Sequence, residues 1–182
     1  MDQITVLEVM NFELNNAIEV LTATPATLRS FVGSLSGAWT ESSGMENTWQ
    51  AFDVIGHLIQ GEETDWIPRA EIILAQDANR TFTPFDRFAQ FESSKGKTLG
   101  ELLDEFEQKR KESLETLLSW TLTEEQLHLS GTHPELGEVT LRQLLATWVV
   151  HDLNHIRQIA TAIAKKYEDE VGPWKQYLSI LN

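Results

Sequence analysis

Apolar residues recur every three to four positions along most of the chain, which is the spacing of one face of an α-helix. The longest such stretch is TLRQLLATWVVHDLNHIRQIATAIA at 140–164, and a second is AFDVIGHLIQGEETDWIPRAEIILAQ at 51–76. Sustained alternation of the β-strand type is nearly absent. The pattern predicts an all-α fold in which four main helices bury four apolar stripes, a four-helix bundle.

Local signals predict where the helices begin. A Thr followed three residues later by Glu or Gln forms a capping box, because each side chain satisfies a backbone N–H at the helix start. This signature occurs at Thr98 with Glu101, at Thr123 with Gln126 and at Thr140 with Gln143. We predict an earlier helix over 3–22, a new start at Thr24–Pro25, and a helix over 49–76 that Pro68 kinks or breaks.

Two long connections join these helices. The first, at 77–97, is rich in aromatic residues: Phe82, Phe85, Phe88 and Phe91. Such a segment must pack on something, either as a loop that covers the bundle end or as an aromatic wall beside a ligand pocket. The second is SGTHPELGE at 130–138, which holds His133.

The composition narrows the function classes. The 182 residues suit one domain over 1–182, and 14 Lys and Arg against 28 Asp and Glu give a net charge of −14. A surface this acidic repels phosphate backbones and anionic lipid, so we expect neither nucleic acid nor a membrane as partner. The one basic run, KRK at 109–111, is flanked by Glu107 and Glu112 and suggests a solvated helix face.

Cysteine is absent, which excludes disulfides, thiolate metal sites and a catalytic cysteine. The first residues lack the positive leader and apolar core of an export signal, and no apolar run is long enough to span a membrane. We therefore expect a cytoplasmic protein.

Two histidines lie where a helix of this kind normally carries leucines. His151 and His155 are four residues apart and share the apolar face of their helix with Leu144 and Trp148. Burying their nitrogens without partners is costly, so either each is separately satisfied in the core or the two bind one metal ion. His57 occupies an equivalent place in another helix, and three core-facing imidazoles would leave one coordination position open.

Groups near these histidines are candidates for orienting them or for contacting a substrate. Gln158 follows His155 by about one turn, Asp53 precedes His57 by one turn, and Gly61 is expected to leave room beside His57. Asp152 is expected to pair with a neighbouring helix instead of a metal.

Three segments resemble the DinB-like (damage-inducible, YfiT-like) superfamily of four-helix bundles. They are WQAFDVIGHLIQGEETDWIPR at 49–69, HPELGEVTLRQLLATWVVHDLNHIRQI at 133–159 and VGPWKQYL at 171–178. The resemblance covers nearly the whole chain in order, although Gln50 stands where relatives often carry Ser or Thr. By motif position it implies that His57, His151 and His155 are the metal ligands, with Zn, Ni and Fe(II) all suited to such a site.

The resemblance also implies activities. Relatives include transferases that use low-molecular-weight thiols and metal-dependent hydrolases, and many form homodimers. A metal-dependent thiol S-transferase is our first hypothesis, and a hydrolase or a metal-stabilised ligand-binding bundle without turnover are the alternatives. HDLNH differs from the protease motif H-E-x-x-H because Asp replaces Glu and the chain lacks sheet edges, which disfavours a peptidase.

Overall fold

The computed structural model describes residues 11–41 and 49–182. Its helices, in chain order, are α1 Leu14–Val32, α2 Gly37–Thr40, α3 Ala51–Thr64, α4 Trp66–Ala75, α5 Ala89–Ser93, α6 Leu99–Ser119, α7 Glu124–Leu127 and α8 Leu141–Lys165. A short hairpin, β1 Ser130–His133 and β2 Gly137–Thr140, precedes α8, and 3₁₀ turns follow it at Gly172–Tyr177 and Ser179–Leu181. The predicted all-α class is confirmed.

The four helical parts of the bundle are α1, the α3–α4 pair, α6 and α8, and α6 and α8 each pack against both α1 and the α3–α4 pair. The core has two parts. One surrounds the stacked rings of Trp66 and Trp148, whose centroids are 5.7 Å apart, and the other surrounds Leu28, Phe106 and Ile159. None of the helices in the described ranges is long and apolar enough to cross a membrane.

All three capping boxes are confirmed. The hydroxyls of Thr98, Thr123 and Thr140 accept hydrogen bonds from the N–H groups of Glu101, Gln126 and Gln143 at 3.2–3.3 Å. Each Glu or Gln side chain in turn accepts from the Thr backbone N–H. Because the third box opens α8, it sets the register of the helix that carries His151 and His155.

The prediction of a new helix start at Thr24–Pro25 is wrong. Residues 3–10 of the helix predicted over 3–22 lie outside the described residues. α1 runs through Pro25 without a break. Pro25 has no N–H, which leaves the carbonyl of Leu21 without its usual partner in the helix. Arg110 Nη1 from α6 donates to that carbonyl at 2.9 Å, so the proline is tolerated inside α1.

The predicted helix over 49–76 is interrupted, but at Asp65 and not at Pro68. Asp65 has φ −108° and ψ −70°, and α4 begins at the next residue. Pro68 is the third residue of α4, within the first turn, where a backbone N–H has no partner in the helix. The break therefore lies upstream of the proline, which fits into α4 at no cost in hydrogen bonds.

The connection at 130–138 is a β-hairpin, which the sequence did not predict. Its register pairs Gly131 with Val139. The hairpin also holds the aromatic connection, since Thr132 donates to Arg80 O at 2.8 Å and accepts from Phe82 N at 2.9 Å. A Cβ on Gly131 would lie 2.6 Å from the Phe82 ring, so glycine is required for Phe82 to enter the core. Strands this short carry too little alternation to be recognised in a sequence.

The basic run at 109–111 is not a uniformly solvated face, because Arg110 is only 2% exposed. Its Nε and Nη2 donate to Glu62 Oε1 at 3.0 and 2.8 Å, and its Nη1 and Nη2 donate to the two carboxylate oxygens of Asp152 at 2.6 and 3.0 Å. Trp148 Nε1 donates to Glu62 Oε1 as well, at 3.1 Å. The prediction failed because the partners of Arg110 lie on α3 and α8, far away in sequence. Asp152 pairs with a neighbouring helix as expected.

Candidate metal centre

Three imidazoles from two helices meet inside the bundle. The Nε2 atoms of His57 and His151 are 3.2 Å apart, and those of His151 and His155 are 3.0 Å apart. One nitrogen of each ring lies within 4.8 Å of the others. His57 lies on α3 and the other two on α8, at i and i+4. The structure thus brings together the three residues that the resemblance identifies as ligands.

Burial keeps these rings neutral. Desolvation is the main cause that lowers the pKa of His57 to about 3 and that of His151 to about 2, and electrostatic repulsion between each ring and His155 lowers both further. Desolvation also lowers the pKa of His155, against the opposing effect of its hydrogen bond to Gln158. Three neutral imidazoles present three lone pairs, which is the protonation state that a metal ion requires.

The spacing of the nitrogens fits a shared cation. Two imidazole nitrogens about 2.0–2.1 Å from one metal ion lie about 2.9 Å apart at a right angle and about 3.4 Å apart at a tetrahedral angle. The observed 3.0 and 3.2 Å fall between these values. Hydrogen bonding does not explain the cluster equally well, because His151 Nε2 carries either one proton or one lone pair and cannot satisfy the Nε2 atoms of both His57 and His155.

Gln158 lies against His155 as predicted. Its Oε1 is 2.7 Å from His155 Nδ1, so with the proton on Nδ1 the Nε2 lone pair of His155 faces the other two rings. Among the described residues, the Nδ1 atoms of His57 and His151 are buried without a hydrogen-bond partner. These two rings are held by aromatic contacts instead. Trp49 lies 5.0 Å from His57, and Trp66 contacts His151 at the same centroid distance.

The other two candidate residues have different roles from those predicted. Asp53 accepts a hydrogen bond from Gln50 N at 2.9 Å and caps α3, so its carboxylate stabilises the helix that carries His57. Gly61 makes room for Trp66, whose Nε1 would lie 3.2 Å from a Cβ at that position. In both cases the helical projection predicted the correct face of α3, but it could not show which neighbouring residue contacts that face.

A cavity of about 630 Å³ opens beside the three histidines. The aromatic connection supplies one wall, with the Phe85 ring 5.3 Å from His57 in an edge-to-face arrangement. Phe85 and Phe88 line the cavity, as the pocket-wall interpretation expects, whereas Phe82 is 2% exposed and belongs to the core, as the covering-loop interpretation expects. Both interpretations hold, each for a different part of the connection.

His133 reaches this cavity, while His128 stays outside. The hairpin turn brings His133 to the cavity wall, and its Nδ1 accepts from the N–H groups of Glu135 and Leu136 at 3.1 and 3.2 Å. His128 is exposed, and its Nδ1 is 2.7 Å from Glu124 O. Arg87 and Glu135 also lie in the cavity wall near the histidines, which no local pattern in the sequence indicated. Only the hairpin contact with the connection brings these loops together.

Comparison with known proteins identifies the family and the fold. The sequence model of the DinB superfamily matches residues 21–159. The chain belongs to the DinB superfamily. One similar solved structure is YfiT from Bacillus subtilis, with a TM-score of 0.72 and 23% identity over 88% of this chain and 91% of that one. YfiT is described as a probable metal-dependent hydrolase with an unusual four-helix bundle topology. No relative among curated proteins matches.

At this level of identity the similarity to YfiT shows the DinB-like four-helix fold alone. Together with the superfamily match, it places the cluster of His57, His151 and His155 in a DinB-like four-helix bundle. The donor set suits a divalent cation and is compatible with Zn, Ni or Fe(II).

Proposed function

We propose that this DinB-like protein is a metal-dependent enzyme of the thiol S-transferase type. His57, His151 and His155 hold one divalent cation, and the adjoining cavity admits a low-molecular-weight thiol and an electrophile. The observation that carries the proposal is the convergence of three imidazole nitrogens, 3.0 and 3.2 Å apart, at the edge of a cavity of about 630 Å³. A cavity of this volume is within the range of small-molecule sites.

Neutral ligands suit this chemistry. A divalent cation held by three neutral imidazoles keeps most of its positive charge and lowers the pKa of a thiol or water at its open position toward neutrality. In the transfer, the thiol proton goes to water and the sulfur forms a bond to an electrophilic carbon. The bond from that carbon to its leaving group breaks, and the leaving group departs with the electron pair.

The protein's own residues orient the ligands and enclose the reactants. Gln158 fixes the orientation of the His155 ring through the 2.7 Å contact to Nδ1. Trp49 and Phe85, in contact with His57, exclude water from one side and offer apolar surface to the electrophile. The buried ion cluster of Arg110 and Asp152 anchors α8 between the two ligand positions His151 and His155.

Hydrolysis is the second candidate, with water in place of the thiol. The description of YfiT favours it, as do His133 and Glu135, which place an imidazole and a carboxylate in the same cavity for proton transfer. A bundle that binds a small ligand without turnover is the non-enzymatic alternative. Homodimerisation and a cytoplasmic location stay predictions.

The test begins with metal analysis of untagged protein. We expect one equivalent of divalent metal in the parent and its loss from folded His57→Ala, His151→Ala and His155→Ala variants, with His128→Ala as the matched control that keeps it. Metal retained by all three variants would refute the site.

The loaded parent is then assayed with activated halide electrophiles in the presence and absence of a thiol. Thiol-dependent release of halide supports the transferase, and release that needs only water supports the hydrolase. Full metal occupancy with neither reaction, across a panel of thiols, would leave the ligand-binding bundle.

A further inference from the structure

A second cavity adjoins the first one along α8. It has a volume of about 380 Å³, and we refer to it as the α8 groove. Trp49, Asn154 and Gln158 line both cavities, so the groove continues from the three histidines. Its floor follows one face of the helix, with Arg157, Thr161 and Lys165 at successive turns beyond His155. Lys165 follows His155 by ten positions, which corresponds to about 15 Å along the axis.

The charge of the α8 groove is opposite to that of the protein. Arg157 and Lys165 line it, and no carboxylate does so in the part of the chain that the structure describes. The protein as a whole carries 28 acidic and 14 basic residues. In a chain with this excess of carboxylates, a cationic groove next to the candidate metal centre requires an explanation.

The basic residues that line the two cavities also differ from most other basic residues of the chain in their ion pairing. Nine of the basic residues form ion pairs with described carboxylates: Arg29, Arg69, Lys95, Lys97, Lys109, Arg110, Lys111, Arg142 and Lys175. Five do not, within residues 11–41 and 49–182. Two of these, Arg80 and Lys166, donate to backbone carbonyls.

The remaining three basic residues all line one of the two cavities. Arg87 lines the cavity beside the histidines, and Arg157 and Lys165 line the α8 groove. Arg157 has only a 3.3 Å contact to the amide oxygen of Asn154, and Arg87 lies over the Phe88 ring at 5.9 Å. Guanidinium and ammonium groups without protein carboxylates are the groups that recognise carboxylate or phosphate on a ligand.

We propose that the α8 groove binds the anionic end of an elongated substrate whose other end reaches the three histidines. Arg157 and Lys165 bind that end, Thr161 lies between them as a hydrogen-bonding group, and Arg87 adds positive charge near the reacting end. The substrate class is an acidic thiol, or an acidic electrophile, whose negative groups lie within about 15 Å of the reacting atom, because Arg157 and Lys165 follow His155 by about 3 and about 15 Å along the helix axis. This inference rests on the proposed function for the reacting end only.

The anionic subsite is tested first on metal-free protein by isothermal titration calorimetry at low ionic strength. The probes are tricarballylate, a tricarboxylate, and inorganic pyrophosphate. We expect at least one to bind, and the double variant Arg157→Gln/Lys165→Gln to weaken binding about tenfold or more. Lys111→Gln is the matched control, since it removes the same charge from an exposed site on α6 and should leave binding unchanged.

The preferred probe identifies whether carboxylate or phosphate is the natural recognition group. Equal affinity of the parent and the double variant, or no binding of either anion to the parent, would overturn the subsite. Circular dichroism of the double variant verifies its fold, and both substitutions are at exposed positions.

A kinetic comparison then connects the subsite to the metal centre. With metal-loaded protein, the double variant should raise the KM for glutathione, an elongated thiol with two carboxylates, about tenfold without changing kcat. The KM for 2-mercaptoethanol, which has no charged end, should not change. If the parent turns over neither thiol, the proposed transferase fails, while the calorimetric result still decides the anionic subsite.

Discussion

Arg110 and Asp152 form a two-pronged ion pair between α6 and α8, with Nη1–Oδ2 and Nη2–Oδ1 distances of 2.6 and 3.0 Å. Both side chains are almost fully buried. Asp152 lies next to His151 in sequence and three residues before His155, so the pair holds the ligand-bearing part of α8. Glu62 shares the guanidinium, and burial raises the pKa of its carboxyl.

Removal of Arg110 should be strongly destabilising. Arg110→Met leaves the carboxylates of Glu62 and Asp152 buried without their cation, and we expect a loss of about 3–5 kcal/mol in the free energy of unfolding. Urea denaturation measures this loss. Lys111→Met is the control, because the ammonium of Lys111 is exposed and 3.9 Å from Glu115, so its loss should cost under about 1 kcal/mol. Similar values for the two variants would contradict the anchoring role.

Gln158 should contribute to metal affinity without being a ligand. Gln158→Ala removes the contact that orients His155, and we expect the affinity for Zn²⁺ to fall about 10- to 100-fold. Competition with a chromogenic chelator measures the affinity. Asn154→Ala is the control, because Asn154 lines the same cavity but its amide oxygen accepts from Arg157 at 3.3 Å. An unchanged affinity in Gln158→Ala would show that His155 needs no such support.

The metal-free protein should lose stability on acidification because of its buried histidines. The pKa of His57 is lowered to about 3 and that of His151 to about 2, whereas in the unfolded chain both titrate near about 6.5. The unfolded state therefore binds more protons below that pH. The stability is fully present above pH 6.5 and falls as the pH approaches the folded pKa values, by about 1.5 kcal/mol per histidine between pH 6.5 and 5.

This pH dependence is isolated by comparison with His57→Leu/His151→Leu, in which the carboxylates are unchanged. Chemical denaturation of both proteins from pH 7.5 to 4.5 should show a steeper acid loss in the parent. Parallel curves would mean that the two imidazoles are accessible to protons in the folded state.

Pro25→Ala should change the free energy of unfolding much less than replacement of a proline inside a helix usually does. Such a replacement usually stabilises a helix by about 3 kcal/mol, largely because it restores a hydrogen bond to the carbonyl four residues back. Here Arg110 already donates to the carbonyl of Leu21. We expect a change of less than about 1 kcal/mol in the free energy of unfolding. A gain near the full value would show that the guanidinium does not replace the missing N–H.

Two glycine substitutions compare a glycine that packs against α5 with one that has open space beside it. A Cβ on Gly56 would lie 2.5 Å from Ser94 Oγ and 3.4 Å from Gln90 Cβ, so Gly56→Ala should cost about 1–3 kcal/mol. On Gly100, in the first turn of α6, the nearest atom is 3.9 Å away, and Gly100→Ala should be neutral or stabilising by up to about 1 kcal/mol. Thermal unfolding distinguishes the two. Equal effects would show that α5 moves away at little cost.

The sequence by itself determined the helices and the direction in which the histidines face. Helical periodicity depends only on neighbours within about four residues, and each capping box is complete within three, so the start of α8 and the shared face of His151 and His155 follow from local order. The membership of His57 in the cluster was implied by the resemblance to the DinB-like superfamily, because the local pattern shows only that His57 faces the core.

Only the tertiary structure decided which groups meet across helices and loops. The 3.2 Å approach of His57 to His151, the burial of Arg110 between Glu62 and Asp152, and the continuation of α1 through Pro25 all depend on contacts between residues distant in sequence. The same is true of the cavity, since two hydrogen bonds between the hairpin and the aromatic connection determine where its wall lies. Such contacts depend on how the helices pack, and a periodic pattern fixes the face of a helix but not its neighbour.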